Sequence, residues 1–517
     1  MTAATEGFIR SLSHGPDDAV RRLTHFRARP AESTTHTMII RNARVLTFDS
    51  ANRVLDSGAV EILPDGTIGQ VNDTTAGRTL SVRSRGTYEE GTASRTPTTR
   101  AAAPPLSPLL ANKVNSARQE QEIIDAQGKL LMPALINCHT HLYSTMARGI
   151  SLPGRAPRNF PEILKKLWWR LDRALNLDDV YSSALVGLID SAKCGVGTLV
   201  DHHSSPNACA GSLDRIEQAF REVGLRGVLC YETSDRNGSA SAAEGIGENI
   251  RFLERHRKGS GDGLIAGSFG LHASFTLSDR TLRRAVEANE SLRAGFHVHV
   301  AEDRSDLDDA RRRYHKSPVG RLQDLGILDN RSLAAHCVHV GARDIAALAK
   351  RQINVVHNPQ SNCNNAVGIA RLLEMVRQGV LVGLGSDGYT PRMWEEFKAA
   401  FHVQKLRERD PRVAYAEAYA AALLNNRTIA RKIWGWEIGR IETGARADLL
   451  LVDYFPPTPL DGSNLFGHFL FGIANAPVDS LLVNGRFVLR NKECVTVDER
   501  EAAAKAAVQA RALWDRS

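Results

Sequence analysis

Apolar and polar positions alternate in short runs at both ends of the chain, and between those ends they fall into repeated strand-then-helix units. MIIRNARVLTF, GAVEIL and TIGQV between residues 38 and 73 have the two-residue period of half-buried strands, as do ADLLLVDY and VDSLLVNGRFVLRNKE near the far end. Gly-containing turns such as Pro64-Asp65-Gly66 and Asn484-Gly485 separate them as in hairpins. Neither end has enough strands to bury a sheet alone, so the two segments are expected to form one small β-sandwich. In the middle, KLLMPALIN, VGTLVD, LRGVLCY, LIAGSFGL, GFHVHV, SLAAHCVHV, INVVHN and VLVGLGSD read as buried strands. Helical stretches such as SLDRIEQAFREVG, DRTLRRAVEANESLR and WEEFKAAFHVQKLRER follow them. This alternation predicts an α/β fold with a (β/α)8 TIM-type barrel; an open doubly wound sheet is the main competitor.

The segment 75–118 is rich in Thr, Ser, Arg, Ala and Pro and has no apolar period, and residues 1–37 look similar. Such composition cannot offset the entropy of ordering. The expected organisation is a flexible leader over 1–37, the N-terminal portion of the β-sandwich over 38–74, a disordered insertion over 75–118, a metal-dependent barrel over 119–436, the C-terminal portion of the β-sandwich over 437–500 and a C-terminal helix over 501–517.

Composition narrows the function classes. The chain has 517 residues, 42% apolar and 24% charged, which is ordinary for a globular protein. It holds no apolar run long enough to span a bilayer, and the leader has no apolar h-region of a secretory signal. The net charge of +8 could suggest nucleic acid, but most of the excess lies in the leader and the insertion. Too little remains on the folded part for a phosphate-tracking surface, so no nucleic-acid partner is expected. Seven separate cysteines without a C-x-x-C pair read as a reduced, cytoplasmic thiol set with no disulfide framework and no Cys-based zinc site.

Every middle strand ends in polar or ionisable groups: His139 and His141; Asp201, His202 and His203; Tyr231 and Glu232; His272; His299 and Glu302; His336 and His339; His357 and Asn358; and Asp387. Barrel enzymes build their sites at these C-terminal strand ends. In INCHTHLY the pair His139 and His141 is H-x-H, and strand alternation puts both imidazoles on one face. HVHVAED adds a third imidazole and GLGSDG a carboxylate. Three His and one Asp suit Zn²⁺ or Fe²⁺ better than Mg²⁺ or Ca²⁺, with zinc the first choice. His297 and His299 are likewise two residues apart, and one of them is taken as the ligand. His299 is chosen because Glu302 follows three residues later, placed to carry a proton. The fourth-strand region contains no Lys to bridge two metals, so one metal ion is expected; His272 there can meet substrate. GLGSDG also fits G-x-G-x-x-G, yet a dinucleotide would put its pyrophosphate beside Asp387. Trp168 and Trp169 can stack on a planar substrate or pack a helix onto the barrel.

The order H-x-H, H-x-x-E, His, Asp, together with LWWRLDRALNLDDVYSSALV, DHHSSP, CYETSDRNG, FGLHASFTLSD, AHCVHV, VVHNPQSN and GLGSDGYT, resembles the amidohydrolase superfamily. It is most similar to its aminohydrolase and chlorohydrolase branch, and within that to the SsnA-type aminohydrolases. The resemblance covers about 38–74 and 119–500. It implies metal ligands His139, His141, His299 and Asp387, Glu302 as acid/base, His336 as orienter of the attacking water, and His272 with Asn362 near substrate. Ala134 departs from the Gly usual at its position in the family.

The expectation is therefore a hydrolase acting on a non-peptide C–N bond, a hydrolytic deaminase of an amino-substituted, purine-like heterocycle. Its partners would be that small molecule and water, and a homo-oligomer without membrane attachment is expected. A dechlorinase or cyclic amide hydrolase could use the same site. A non-catalytic scaffold barrel is the remaining alternative.

Overall fold

The computed structural model describes residues 36–74, 121–257 and 261–517. The insertion expected over 75–118 and all but the last two residues of the expected leader lie outside the described residues.

The eight barrel strands are Leu135–Thr140, Val196–His203, Arg226–Tyr231, Ile265–Gly267 running on into Phe269–Ala273, Phe296–Val300, Leu333–His336, Asn354–His357 and Leu381–Leu384. Neighbours pair in parallel from the first through the fourth and from the fourth through the eighth. Parallel bridges Thr233↔Leu271 and Thr140↔Asp387 join the two arcs into a ring. At each of these seams a buried asparagine from an outer helix stands in for the missing ladder. Asn249 accepts from the Tyr231 and Gly270 amides, both at 3.0 Å, and its Nδ2 donates to the Tyr231 carbonyl at 2.8 Å. Asn426 donates to the Ile136 and Leu384 carbonyls at 2.7 and 2.9 Å and accepts from the Leu384 amide at 2.8 Å. Backbone groups that face no strand are thereby satisfied, as burial requires.

Helices cover the ring, among them the amphipathic Ser212–Val223, Asp279–Asn289 and Ala342–Lys350 and the helix Met393–Glu408, close to where the sequence pattern puts them. One expected strand divides. KLLMPALIN reads as a single barrel strand, but Leu130–Pro133 joins the terminal sheet and only Leu135 onward enters the barrel. The Ala134 amide donates to Asp448 O at 2.9 Å and the next amide, Leu135, to Gly195 O at 2.9 Å, so consecutive residues serve different sheets. Pro133, which has no amide hydrogen to donate, precedes the switch.

Nine strands from both chain ends form one continuous sheet. Met38–Leu46 pairs antiparallel with Val54–Ile62 and parallel with Glu122–Asp125 and Leu130–Pro133. Leu130–Pro133 pairs with Leu449–Val452, and the sheet continues through Val478–Val483, Arg486–Arg490 and Glu493–Cys494. Alternation makes this sheet two-faced. Leu131, Leu449, Leu451 and Leu482 share a core with Ile40, Val60 and Ile62, as the sheet folds over itself. Leu130, Met132, Leu450, Val452 and Leu481 join the core of barrel-side helices that holds Leu185, Leu188 and Phe220. Arg226, fully buried at the start of the third strand, pairs with Asp448 (Nε–Oδ2 2.8 Å, Nη2–Oδ1 2.9 Å) and ties barrel to sheet. The helix Glu499–Arg516 closes the chain, with Trp514 Nε1 donating to Met146 O at 2.7 Å.

Candidate metal centre and active-site cavity

The C-terminal strand ends bring His139, His141, His299, His336 and Asp387 together, all buried or nearly so. His141 Nε2 lies 3.0 Å from Asp387 Oδ1 and 3.2 Å from His299 Nε2, and His139 Nε2 lies 3.5 Å from the same Asp387 oxygen. The far nitrogen of each ring is already used. His141 Nδ1 donates to the His202 carbonyl at 2.5 Å and His299 Nδ1 to the His272 carbonyl at 2.8 Å. His139 Nδ1 meets His297 Nε2 at 2.8 Å. The two carbonyls fix the tautomers of His141 and His299, so their Nε2 lone pairs converge with His139 Nε2 and a carboxylate oxygen on one point. Lone pairs so close repel one another unless a positive charge sits among them.

The proton affinities agree. Burial pushes His141 down, yet Asp387 and Glu232 outweigh it and raise the ring to about 9. Since Nδ1 is spent on a carbonyl, the added proton stands on Nε2, in the middle of the cluster. Burial pushes the Asp387 carboxyl up, but the imidazoles of His139 and His141 overcome this and hold it well below its usual range. Burial outweighs Asp387 at His139 and lowers that ring to about 4, so it stays neutral. The residues present thus fit a divalent cation held by three imidazoles and one carboxylate.

Backbone strain marks the same place. Ala301, His336 and Asp387 adopt left-handed φ values of 49°, 70° and 55°. Such conformations persist where surrounding structure over-determines them, as at functional sites. Gly385 brings the eighth strand against the first: a Cβ there would stand 2.8 Å from the His139 Cβ and 2.6 Å from Asn358 Oδ1.

Above the cluster opens a cavity of about 350 Å³, lined by His141, His299, Asp387, Glu302, His272 and Glu232 and walled by Tyr143, Trp168, Trp169 and Phe275. Glu302 Oε1 has no hydrogen-bond partner. Burial, reinforced by Asp387, lifts its carboxyl well above the usual range and favours its protonated form. His336 Nε2 lies 3.6 Å from Glu302 and 3.9 Å from Asp387, while its Nδ1 donates to Asn362 Oδ1 at 2.8 Å. Ser361 donates a short hydrogen bond to Asp387 Oδ2.

Asn362 departs from the sequence expectation. It is 1% exposed, stands behind His336 and does not line the cavity; Ser361 and Asn364 of the same short helix and Asn365 just after it do. Its Oδ1 is taken by His336 and is not available to a substrate. Trp168 and Trp169 line the cavity and also pack against the barrel-side cores. His339 lies away from the cluster, donating through Nε2 to Val367 O at 2.8 Å. Glu232 is legible in the sequence as a strand-end residue but has no role assigned there; the structure puts it in the cavity wall.

The model of the amidohydrolase family matches residues 130–488. The 5-methylthioadenosine/S-adenosylhomocysteine deaminase of Desulforudis audaxviator is 34% identical over 404 residues, covering 76% of this chain and 89% of that protein. The protein of the same name from Syntrophomonas wolfei is 32% identical over 398 residues, covering 76% and 88%. Among solved structures, an adenosine deaminase from Xanthomonas campestris with bound zinc aligns with a TM-score of 0.73 at 21% identity, over 92% of this chain and 97% of that one. Atrazine chlorohydrolase TrzN from Arthrobacter aurescens TC1, complexed with zinc, aligns with a TM-score of 0.71 at 18% identity, over 92% and 100%. At these identities the solved structures establish the barrel fold alone.

Proposed function

Because the chain belongs to the amidohydrolase family, we propose that it is a hydrolytic deaminase of an amino-substituted, purine-like heterocycle. One observation carries this reading. The converging donors of His139, His141, His299 and Asp387 stand beside a buried Glu302, whose protonated form burial favours, at the floor of a cavity with flat aromatic walls. The relatives named as deaminases of an adenine nucleoside support it.

His139, His141, His299 and Asp387 would hold one divalent ion, zinc in preference to iron, since three imidazoles and a carboxylate suit a four-coordinate site. When bound, the ion supplies the positive charge that acidifies water for attack. His336, whose Nδ1 proton goes to Asn362, keeps an Nε2 lone pair that accepts from the attacking water and orients it. Asp387 takes the water's proton. Glu302 donates its proton to the ring nitrogen beside the reacting carbon. That step makes the carbon electrophilic and turns a poor leaving group into a viable one. A C–O bond forms, the C–N bond breaks, Asp387 returns its proton to the departing amine as ammonia, and the new hydroxyl gives its proton to Glu302 as it becomes the ring carbonyl. A leaving chloride has less need of this acid, so the buried Glu302 favours deamination over dechlorination. The complete donor set likewise speaks against a scaffold role.

All seven cysteines are free, which supports a reducing, cytoplasmic location. Among the described residues no helix is long and apolar enough to cross a membrane.

The test is a screen of aminated purines, pterins and pyrimidines with metal-replete protein. The reading expects catalytic ammonia release that stops when a chelator strips the metal. Halide release or a ring-opened product without ammonia would overturn it.

A further inference from the structure

The cavity wall beside the metal centre holds a group of hydrogen-bond acceptors that the proposed chemistry does not use. Glu232 follows the third strand and His272 lies in the fourth; both are buried and both line the cavity. Among the described residues no hydrogen bond reaches the Glu232 carboxylate. Its nearest imidazole nitrogens are His272 Nε2 at 3.4 Å, His202 Nδ1 at 3.6 Å and His141 Nδ1 at 3.9 Å. His141 Nδ1 is already spent on the His202 carbonyl, so Glu232 does not orient that ligand.

The tautomer of His272 follows from its neighbours. The Thr276 hydroxyl donates to Ala273 O at 3.1 Å, so the 2.5 Å contact between His272 Nδ1 and Thr276 Oγ1 is a donation from the ring. His272 Nε2 is then a bare lone pair facing Glu232. Asp172 adds a third acceptor to the cavity wall: its Oδ2 binds Arg236 and Ser204, and its Oδ1 has no partner. Buried acceptors left unpaired are costly, and a donor entering the cavity relieves them. The ligating atoms of Glu232, His272 and His299 lie within 4.8 Å of one another, so a ring seated at the metal centre also reaches this pair. Trp169, edge-on to His272 with centroids 6.5 Å apart, gives that ring a flat neighbour.

We propose that Glu232, beside His272, is a specificity-determining residue that reads an N–H donor edge of the substrate. This selects planar heterocycles with a free ring N–H beside the reacting carbon and disfavours those carrying an anionic arm there. The inference rests on the deaminase reading and names its substrate class.

The test uses the full, metal-replete chain with guanine and its 1-, 3-, 7- and 9-methyl derivatives, each blocking one ring position. Xanthine, which has no amine to lose, is the calorimetric binding probe. For wild type, one methylation lowers kcat/KM by roughly 10²-fold or more, mainly through KM, because a site built to bond an N–H rejects the analogue lacking it. In Glu232→Gln that discrimination narrows to within about tenfold, xanthine binding weakens in parallel, and metal stays at about one per chain. Unchanged discrimination in Glu232→Gln overturns the proposal. So does a second metal ion that wild type holds and the variant loses, which would make the acceptors a ligand set. Efficient wild-type turnover of 5-methylthioadenosine, whose purine ring has no N–H, overturns it as well. If xanthine binds in a Glu232-dependent way but no compound releases ammonia, the deaminase reading fails and this assignment stands.

Discussion

Replacing Asn362 by Leu isolates one hydrogen bond behind the proposed water-orienting residue. The two side chains are similar in size, and Asn362 is 1% exposed, so the change removes an acceptor without opening a path to solvent. His336 Nδ1, which donates to Asn362 Oδ1 at 2.8 Å, is left either with an unpaired buried N–H or with its proton moved to Nε2. The first costs about 1–3 kcal/mol. The second converts the Nε2 acceptor into a donor and removes the lone pair that holds the water. If either cost falls on the transition state, at about 1.4 kcal/mol per tenfold, turnover drops roughly 5- to 150-fold. KM stays near its wild-type value, because the side chain does not line the cavity. Metal stays at about one per chain, because none of the proposed ligands hydrogen-bonds to Asn362. Steady-state ammonia release, with elemental analysis of the same samples, measures all three. A raised KM with unchanged kcat would refute the reasoning and return Asn362 to the substrate-contact role suggested by the sequence motif.

Three further outcomes are expected. Asn426→Leu strips partners from two carbonyls and an amide at the seam between the first and eighth strands, and should destabilise the fold by about 3 kcal/mol or more in urea unfolding; a loss under 1 kcal/mol would show that the ring closes without it. His297→Leu frees His139 Nδ1 and should weaken metal affinity roughly 10- to 100-fold, as measured by competition with a chelator; unchanged affinity would make His297 mere packing. Burial raises Asp306 from 3.8 to about 7, so its neutral form is the one the fold favours. Its contribution is complete below about pH 4 and is lost as pH rises through 7. Metal-free Asp306→Asn should therefore show a flatter decline of stability across that window than metal-free wild type, and an equal slope would refute the assignment.

The sequence made the metal cluster legible because parallel strands end in it. H-x-H, H-x-x-E and the Asp of GLGSDG each sit just past an apolar run, and strand alternation gives them a common face. The other elements left no such mark. KLLMPALIN is apolar on both faces, so nothing in its period reveals that Leu130–Pro133 and Leu135–Thr140 serve different sheets. Asn249 and Asn426 read as ordinary polar residues in helices; their work at the barrel seams depends on strand gaps that a helical period does not encode. Asn362 follows the seventh strand in a motif that suggests substrate contact, and only the geometry of His336 shows which way it is committed. Glu232 lies in CYETSDRNG, a motif that gives it no role of its own. Its importance comes from a carboxylate that no hydrogen bond reaches, a three-dimensional property.

The central claim is that Glu302 moves a proton during metal-dependent deamination, and one comparison tests it most directly: ammonia release and metal content of wild type, Glu302→Gln and His299→Ala on the best substrate from the screen. Glu302→Gln keeps size and hydrogen-bonding reach but cannot carry the proton, so turnover should fall by roughly 10²–10⁴ with about one metal ion per chain retained. His299→Ala removes a ligand and should lose metal and activity together. Full activity in Glu302→Gln, or loss of metal from it, would contradict the account.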